Sequence, residues 1–272
     1  MAGDHMQSQA SKSYKIEVAW IHISICWQSL TYQIPQPWRQ QLNIPQELGH
    51  LLRLRYFFLN NNLLSGEFPI NLTNCSELKT MHLGGNKLIG KIPSQIGSLV
   101  KHQALSMEKN NVSGKIPPFI RNISSLNIFS IDFNNLVRYI PKEMCFLKQL
   151  KIIAVHVNKL SGHIPTSIAN ASTLTTLGFG TNHFVGQVPN LGKLQSLRFL
   201  NLEDNNLGDN STKDLEFLNS LTNCSKLQSL SLGYNNFGGS LQNSVGNLSI
   251  TVDQLRLGGN QIYGQIPIEL EI

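Results

Sequence analysis

Apolar and polar positions recur every 24 residues along most of the chain. Leu78, Met81 and Leu83 precede Asn86, and Leu174, Leu177 and Phe179 precede Asn182 at the same offsets. This x-Leu-x-Leu-x stretch alternates with period two, which predicts a short strand with every second side chain turned inward. Pro45, Pro69, Pro93, Pro117, Pro141, Pro165 and Pro189 keep the 24-residue spacing, and so do Asn62, Asn86, Asn110, Asn134, Asn158 and Asn182. The asparagines continue at Asn205, Asn235 and Asn260, and an apolar residue lies two positions after each. A glycine often lies four positions on: Gly66, Gly90, Gly114, Gly162, Gly186, Gly239 and Gly264.

Two residue types on one period predict a solenoid. The Asn side chain bonds neighbouring backbone where the chain leaves the strand, and stacked copies form a ladder of satisfied amides. Gly permits the tight turn, and Pro fixes φ on the outer side. One unit cannot bury its apolar edge alone, but about nine stacked units can, each inward Leu or Ile contributing roughly 1.5–3 kcal/mol. The expected fold is an α/β solenoid. Parallel strands form one face, and loops or short helical turns form the other.

Composition narrows the function. Charged residues are 14% of the 272, and amides take their place, with 28 Asn. Leu, Ile and Phe are too plentiful for a disordered tail, and four Cys are too few for a disulfide scaffold. No apolar run reaches the 18 residues of a spanning helix. The net charge of +6 comes from scattered Lys and Arg, which argues against a nucleic-acid partner.

The unit L-x-x-L-x-x-L-x-L-x-x-N-x-L-x-G-x-I-P resembles the plant-type extracellular leucine-rich repeat over about residues 43–272. That resemblance implies a right-handed superhelix. After Asn205 one repeat lengthens to 30 residues, around 205–234, through Asn206 to Leu218. This insert is similar to one in the ectodomains of plant immune-type receptor-like Ser/Thr kinases, the group of the flagellin and elongation-factor receptors. Ser211 with Asp214 makes a capping-box-like start, and Leu215, Leu218 and Leu221 form a helical stripe. The resemblance implies ligand recognition at the cell surface, on the extracellular side of the plasma membrane. It implies an extracellular peptide or protein ligand and a leucine-rich-repeat kinase as co-receptor. Two alternatives stand beside it: a soluble receptor-like or enzyme-inhibitor protein, and a non-functional truncated product.

Residues 1–42 do not fit the repeat and are expected to be irregular, with no clean secretory signal. The chain stops at Ile272 mid-solenoid, as a receptor fragment would. Glycosylation sequons at Asn71, Asn74, Asn111, Asn122, Asn170, Asn210, Asn223 and Asn247 suggest the secretory pathway. Cys75 and Cys224 fall in an apolar slot and read as buried thiols, whereas Cys145 falls in a Gly slot and reads as exposed.

Outward strand positions are the candidate ligand-binding residues: Tyr56, Phe58, His82, Glu108, Asp132, Phe133, His156, Phe199, Glu203, Asp204, Tyr234 and Arg256. Aromatics there are typical anchors, and the carboxylates would meet basic side chains of a peptide laid across the strands. The sixth repeat offers only Gly178, Gly180 and Thr181. No catalytic residues, metal ligands or cofactor are expected. His82 and His156 lie three repeats apart, roughly 14 Å at the usual strand spacing, too far to share a metal. Three departures mark this copy: His102 in the Leu row, Arg138 at a turn Gly, and Gln242 at a Pro.

Overall fold

A computed structural model describes residues 43–267. The 1–42 segment and residues 268–272 lie outside the described residues. Six repeats open on a proline, held extended at φ −70° for Pro93 and −65° for Pro165, and enter a five-residue 3-10 turn such as Ser94–Ser98 or Thr166–Asn170; Gln242 takes the proline's place before Asn243–Asn247. Five of these turns point a fully buried side chain inward: Leu72, Ile96, Ile120, Met144 and Ile168.

A three-residue strand follows. Among the described residues nine such strands form one parallel sheet in chain order: Tyr56–Phe58, Thr80–His82, Ala104–Ser106, Ile128–Ser130, Ile152–Ala154, Thr176–Gly178, Phe199–Asn201, Ser229–Ser231 and Gln254–Arg256. The register joins like positions of successive repeats, Tyr56 to Thr80 and Thr80 to Ala104. The middle residues, such as Met81, Leu105, Phe129 and Ile153, are fully buried and form one apolar spine.

The asparagines line up as a ladder. Asn158 shows the pattern: its Oδ1 accepts Leu136 N–H at 2.9 Å, and its Nδ2 donates to the carbonyls of Ile131, Val155 and His156 at 2.9–3.1 Å. Asn86, Asn110, Asn134, Asn182, Asn205 and Asn235 do the same one coil apart. The residue before each ladder Asn is left-handed, even where it is Phe133 (φ 53°), Val157 (φ 51°) or Thr181 (φ 51°). Bulky and β-branched residues avoid this region, so the ladder and coil-to-coil backbone bonds impose it.

The sequence reading gave the far side to loops and helical turns; the structure adds a second set of parallel strands there. Ser65–Glu67 pairs with Lys87–Ile89. Ser113–Gly114, Asn135–Arg138, Lys159–Gly162, His183–Gly186 and Asn206–Leu207 form a five-stranded sheet. Their pairing is backbone to backbone and out of step with the repeat, joining Ser65 to Lys87, Ser113 to Asn135 and Ser161 to His183, so it leaves no apolar alternation in the sequence.

In the enlarged repeat, regular helix is confined to Leu218–Leu221, preceded by turns, and is shorter than the expected helix from Ser211. The apolar stripe Leu215, Leu218 and Leu221 is buried as expected. Asp214 accepts Ser211 N–H at 3.0 Å, as a capping box would have it, and also serves groups outside the box: Gly238 N–H at 2.8 Å, Asp209 N–H at 3.2 Å and the Gln187 side-chain amide at 2.5 Å.

Cys75 and Cys224 are buried free thiols. Cys145, expected exposed, is buried as well. The Gly slot it occupies is a close-approach position: a Cβ on Gly97, its counterpart, would meet Phe119 O at 2.6 Å. Burial pushes the Cys145 thiol pKa up.

Candidate ligand-binding face

The strand face holds every candidate binding residue. The outer positions of each strand and the loop before each ladder Asn point away from the spine, so one repeat contributes about three side chains. Tyr56, Phe58, Phe133, Phe199 and Tyr234 are exposed, from 38% at Phe199 to 66% at Tyr234. Asp204 and Arg256 are exposed too, and His82, Glu108, Asp132, His156 and Glu203 are half-buried.

The first repeats gather an aromatic edge. Tyr56 and Phe58 stack at 6.4 Å, and the His82 ring lies 5.2 Å from Phe58. Beside them the Ser106 hydroxyl donates to Glu108, and Asp132 accepts His156 N–H at 2.6 Å and the Ser130 hydroxyl at 3.4 Å. Burial pushes the Asp132 carboxyl up to about 7, the Glu108 carboxylate adds to the rise, and the His156 and Ser130 bonds oppose it. Near neutral pH Asp132 therefore holds its proton part of the time. Burial lowers the pKa of His82, against the pull of Glu108, and lowers that of His156.

The second group lies past a gap. Gly178 and Gly180 are buried rather than exposed. A Cβ on Gly178 would strike the His156 ring, and one on Gly180 would meet Asn201 Oδ1 at 2.7 Å. Neighbouring side chains thus lean over the bare sixth repeat from both sides. Beyond it stand Phe199, Glu203, Asp204, Tyr234 and Arg256, with Asn201 Oδ1 accepting Glu203 N–H at 2.9 Å.

Two cations stand over aromatic rings of this face, and of these Arg198 escaped the sequence reading. Lys109 Nζ sits 5.9 Å from the Phe133 ring centre, and the Arg198 guanidinium 5.8 Å from that of Phe199. Arg198 and Lys226 also border a groove of about 410 Å³ that contains no predicted site residue. The position just before the strand is basic in four repeats, Arg55, Lys79, Lys151 and Arg198, and that was the available signal for Arg198. Among the described residues no three His, Cys, Asp or Glu gather where they could hold a metal ion. Of the sequon asparagines, Asn71 is half-buried, and Asn74, Asn111, Asn122, Asn170, Asn210, Asn223 and Asn247 are exposed.

The Leucine Rich Repeat family model matches residues 77–99 and 226–248. The LRR receptor-like serine/threonine-protein kinase EFR of Arabidopsis thaliana is 45% identical over 78 residues, which is 29% of this chain and 8% of that protein. The chain is also similar to the solved plant peptide hormone receptor RGFR1 in complex with RGF2, with TM-score 0.77 and 30% identity over 84% of this chain and 39% of that one. The Arabidopsis receptor kinase HAESA, solved with the peptide hormone IDA and the co-receptor SERK1, gives TM-score 0.77 and 26% identity over 84% and 37%. The chain thus spans well under half the length of each of these relatives.

Proposed function

Since the chain is a leucine-rich-repeat region of the plant receptor-like kinase type, we propose that it recognises an extracellular peptide on its strand face and performs no chemistry itself. The observation that carries this reading is the set of exposed aromatics and half-buried carboxylates on the strand face. Neither the spine nor the ladder uses them, and keeping Asp132 half-buried beside Glu108 costs stability. A basic side chain of the ligand takes the place of the Asp132 proton. Phe133, Phe199 and Tyr234 supply the apolar contacts. RGFR1, a plant peptide hormone receptor, was solved with RGF2, and HAESA with the peptide hormone IDA and the co-receptor SERK1. By analogy this chain takes a peptide and then a second leucine-rich-repeat chain at the plant cell surface. Among the described residues no helix is long and apolar enough to cross a membrane.

The test is a library of basic peptides screened against the chain, with hits titrated calorimetrically against Asp132→Lys and Glu203→Lys. A loss of about thirtyfold or more is expected for each, the size of an interface hot spot. Unchanged affinity in both variants would remove the reading.

A further inference from the structure

The sequons are not scattered over the fold. Asn74, Asn122, Asn170 and Asn247 are each the last residue of their repeat's 3-10 turn. Asn223 holds the matching place in the enlarged repeat, one residue before buried Cys224. The local shape is shared. The residue after each Asn is buried (Cys75, Ile123, Ala171, Cys224 and Leu248), which turns the Asn outward. The following Ser76, Ser124, Ser172 and Ser225 are exposed. The five asparagines therefore form a column along the turn side of the solenoid, clear of the strand face.

The same register position in the fifth repeat is Phe146, which ends the turn Lys142–Phe146 and is 60% exposed. Its neighbours in the column, one coil away on either side, are Asn122 and Asn170. An exposed phenylalanine one coil from each of two sequon asparagines offers an apolar surface to a cover that is apolar on one side and wet on the other. An N-acetylglucosamine ring has that character, and its C–H face packs on aromatic rings.

We infer that Asn122 and Asn170 carry N-linked glycans whose innermost sugars cover the Phe146 ring. The inference rests on the extracellular placement proposed above. In the attachment step the Asn Nδ2 bonds to the anomeric carbon of a lipid-diphosphate-linked oligosaccharide. The bond from that carbon to the diphosphate oxygen breaks, the lipid diphosphate leaves, and Nδ2 gives up one proton. Asn71 stays bare. It is half-buried, and the Thr73 hydroxyl of its sequon is committed to Ile70 O at 2.7 Å.

The experiment is to produce the chain through the plant secretory pathway behind an added signal peptide and map its glycans by mass spectrometry. Sugar is expected at Asn122 and Asn170 and not at Asn71. The folded protein is then trimmed to a single N-acetylglucosamine per site, or stripped completely, and melted. Trimming leaves Tm unchanged; stripping lowers it by about 2–4 °C, the shift of roughly one kcal/mol in a domain this size. In Phe146→Ser, stripping leaves Tm where it was. Vacant Asn122 and Asn170, or an equal drop in Phe146→Ser, would overturn the inference. Sugar on no sequon at all would sink the extracellular placement as well, whereas a glycosylated chain that binds no peptide would sink only the recognition reading.

Discussion

From Leu59 to Asn205, each turn out of the strand face is closed by a neutral amide reaching one coil back. In the enlarged repeat that amide, Asn235, still closes its own turn, but the extra residues need a second device. A buried carboxylate supplies it. Asp214 takes in three backbone N–H groups and the Gln187 amide. Burial works against its charge, yet the bonds from Gly238, Gln187 and Ser211 hold its pKa down to about 2. A repeating turn is satisfied by one residue per coil with both donor and acceptor. An irregular loop offers mostly stray N–H groups, which an acceptor-only group collects better.

The comparison is broken most severely by removing the two devices in turn. Asp214→Ala strands the N–H groups of Asp209, Ser211 and Gly238, and a cost of about 3–5 kcal/mol is expected. The loss is local, so amide exchange quickens over the insert and at Gly238 while the earlier coils stay protected. Asn158→Leu strands Leu136 N–H and three carbonyl bonds at a cost of about 3 kcal/mol. Here protection falls on both neighbouring coils, because each repeat's stability is shared with the next. Equal and global loss in both variants would show that the insert is an ordinary coil.

The contrast also explains what could be read from the sequence. The ladder and spine were legible because the same residue type repeats at each site. Asp214 was legible only as a partner of Ser211; its bonds to Gln187 and Gly238 span 27 and 24 residues, and no local pattern announces them. The second sheet was hidden because its pairing uses backbone groups that any residue supplies. The left-handed row was hidden for the opposite reason, since Phe133, Val157 and Thr181 are residues that argue against it. Cys145 was misplaced because a glycine slot was taken as a turn position when it is a packing contact. The face residues were legible as positions, since alternation says which side chains point out. Their electrostatics were not, because the pairing of Asp132 with His156 N–H depends on which way a side chain leans.

Two titratable groups, half-buried Asp132 and buried His102, oppose each other across the ordinary coils, and pH separates them. Asp132 keeps its proton to about pH 7 when folded, against an ordinary value of 3.8. The folded chain therefore holds an extra proton in that window, and this group's contribution to stability falls as pH rises from about 4 to 7. His102 is the reverse. Its Nδ1 lies 3.1 Å from Leu78 O, its Nε2 is buried without a hydrogen bond, and burial lowers its pKa from 6.5 to about 4. Its contribution falls as pH drops from 6.5 to 4, and His82 and His156 share its sign. The native chain should therefore show a shallow profile between pH 4 and 6.5. His102→Leu should be more stable by about 1–3 kcal/mol, having shed an unsatisfied buried polar group. It should lose stability more steeply as pH rises, by at most about 1.4 kcal/mol per unit. Asp132→Asn should tilt the other way. Urea unfolding at pH 4.5, 5.5 and 6.5 measures both, and a native-like slope in both variants would mean that these groups do not titrate as their surroundings require.

The smallest effect tests whether the regular coils tolerate departures where the backbone is most demanding. Gly66, Gly90, Gly114, Gly162 and Gly186 sit at φ 77–81° at the turn after the ladder, and Arg138 takes the same place at φ 73°. A left-handed side-chain-bearing residue costs roughly 1–2 kcal/mol. Glycine recovers that strain but loses more entropy on folding, by about 0.5–1 kcal/mol. Arg138→Gly should therefore stabilise by under about 1 kcal/mol, a rise in Tm of up to 2–4 °C. Gly162→Arg should lower Tm by a similar amount, since among the described residues the only neighbour of an added Cβ there is Tyr139 Cβ at an ordinary 3.7 Å, which leaves backbone strain as the main cost. Opposite and nearly equal shifts would show that conformation alone sets the glycine row. A destabilised Arg138→Gly would mean instead that the arginine side chain holds the coil through contacts worth more than the strain.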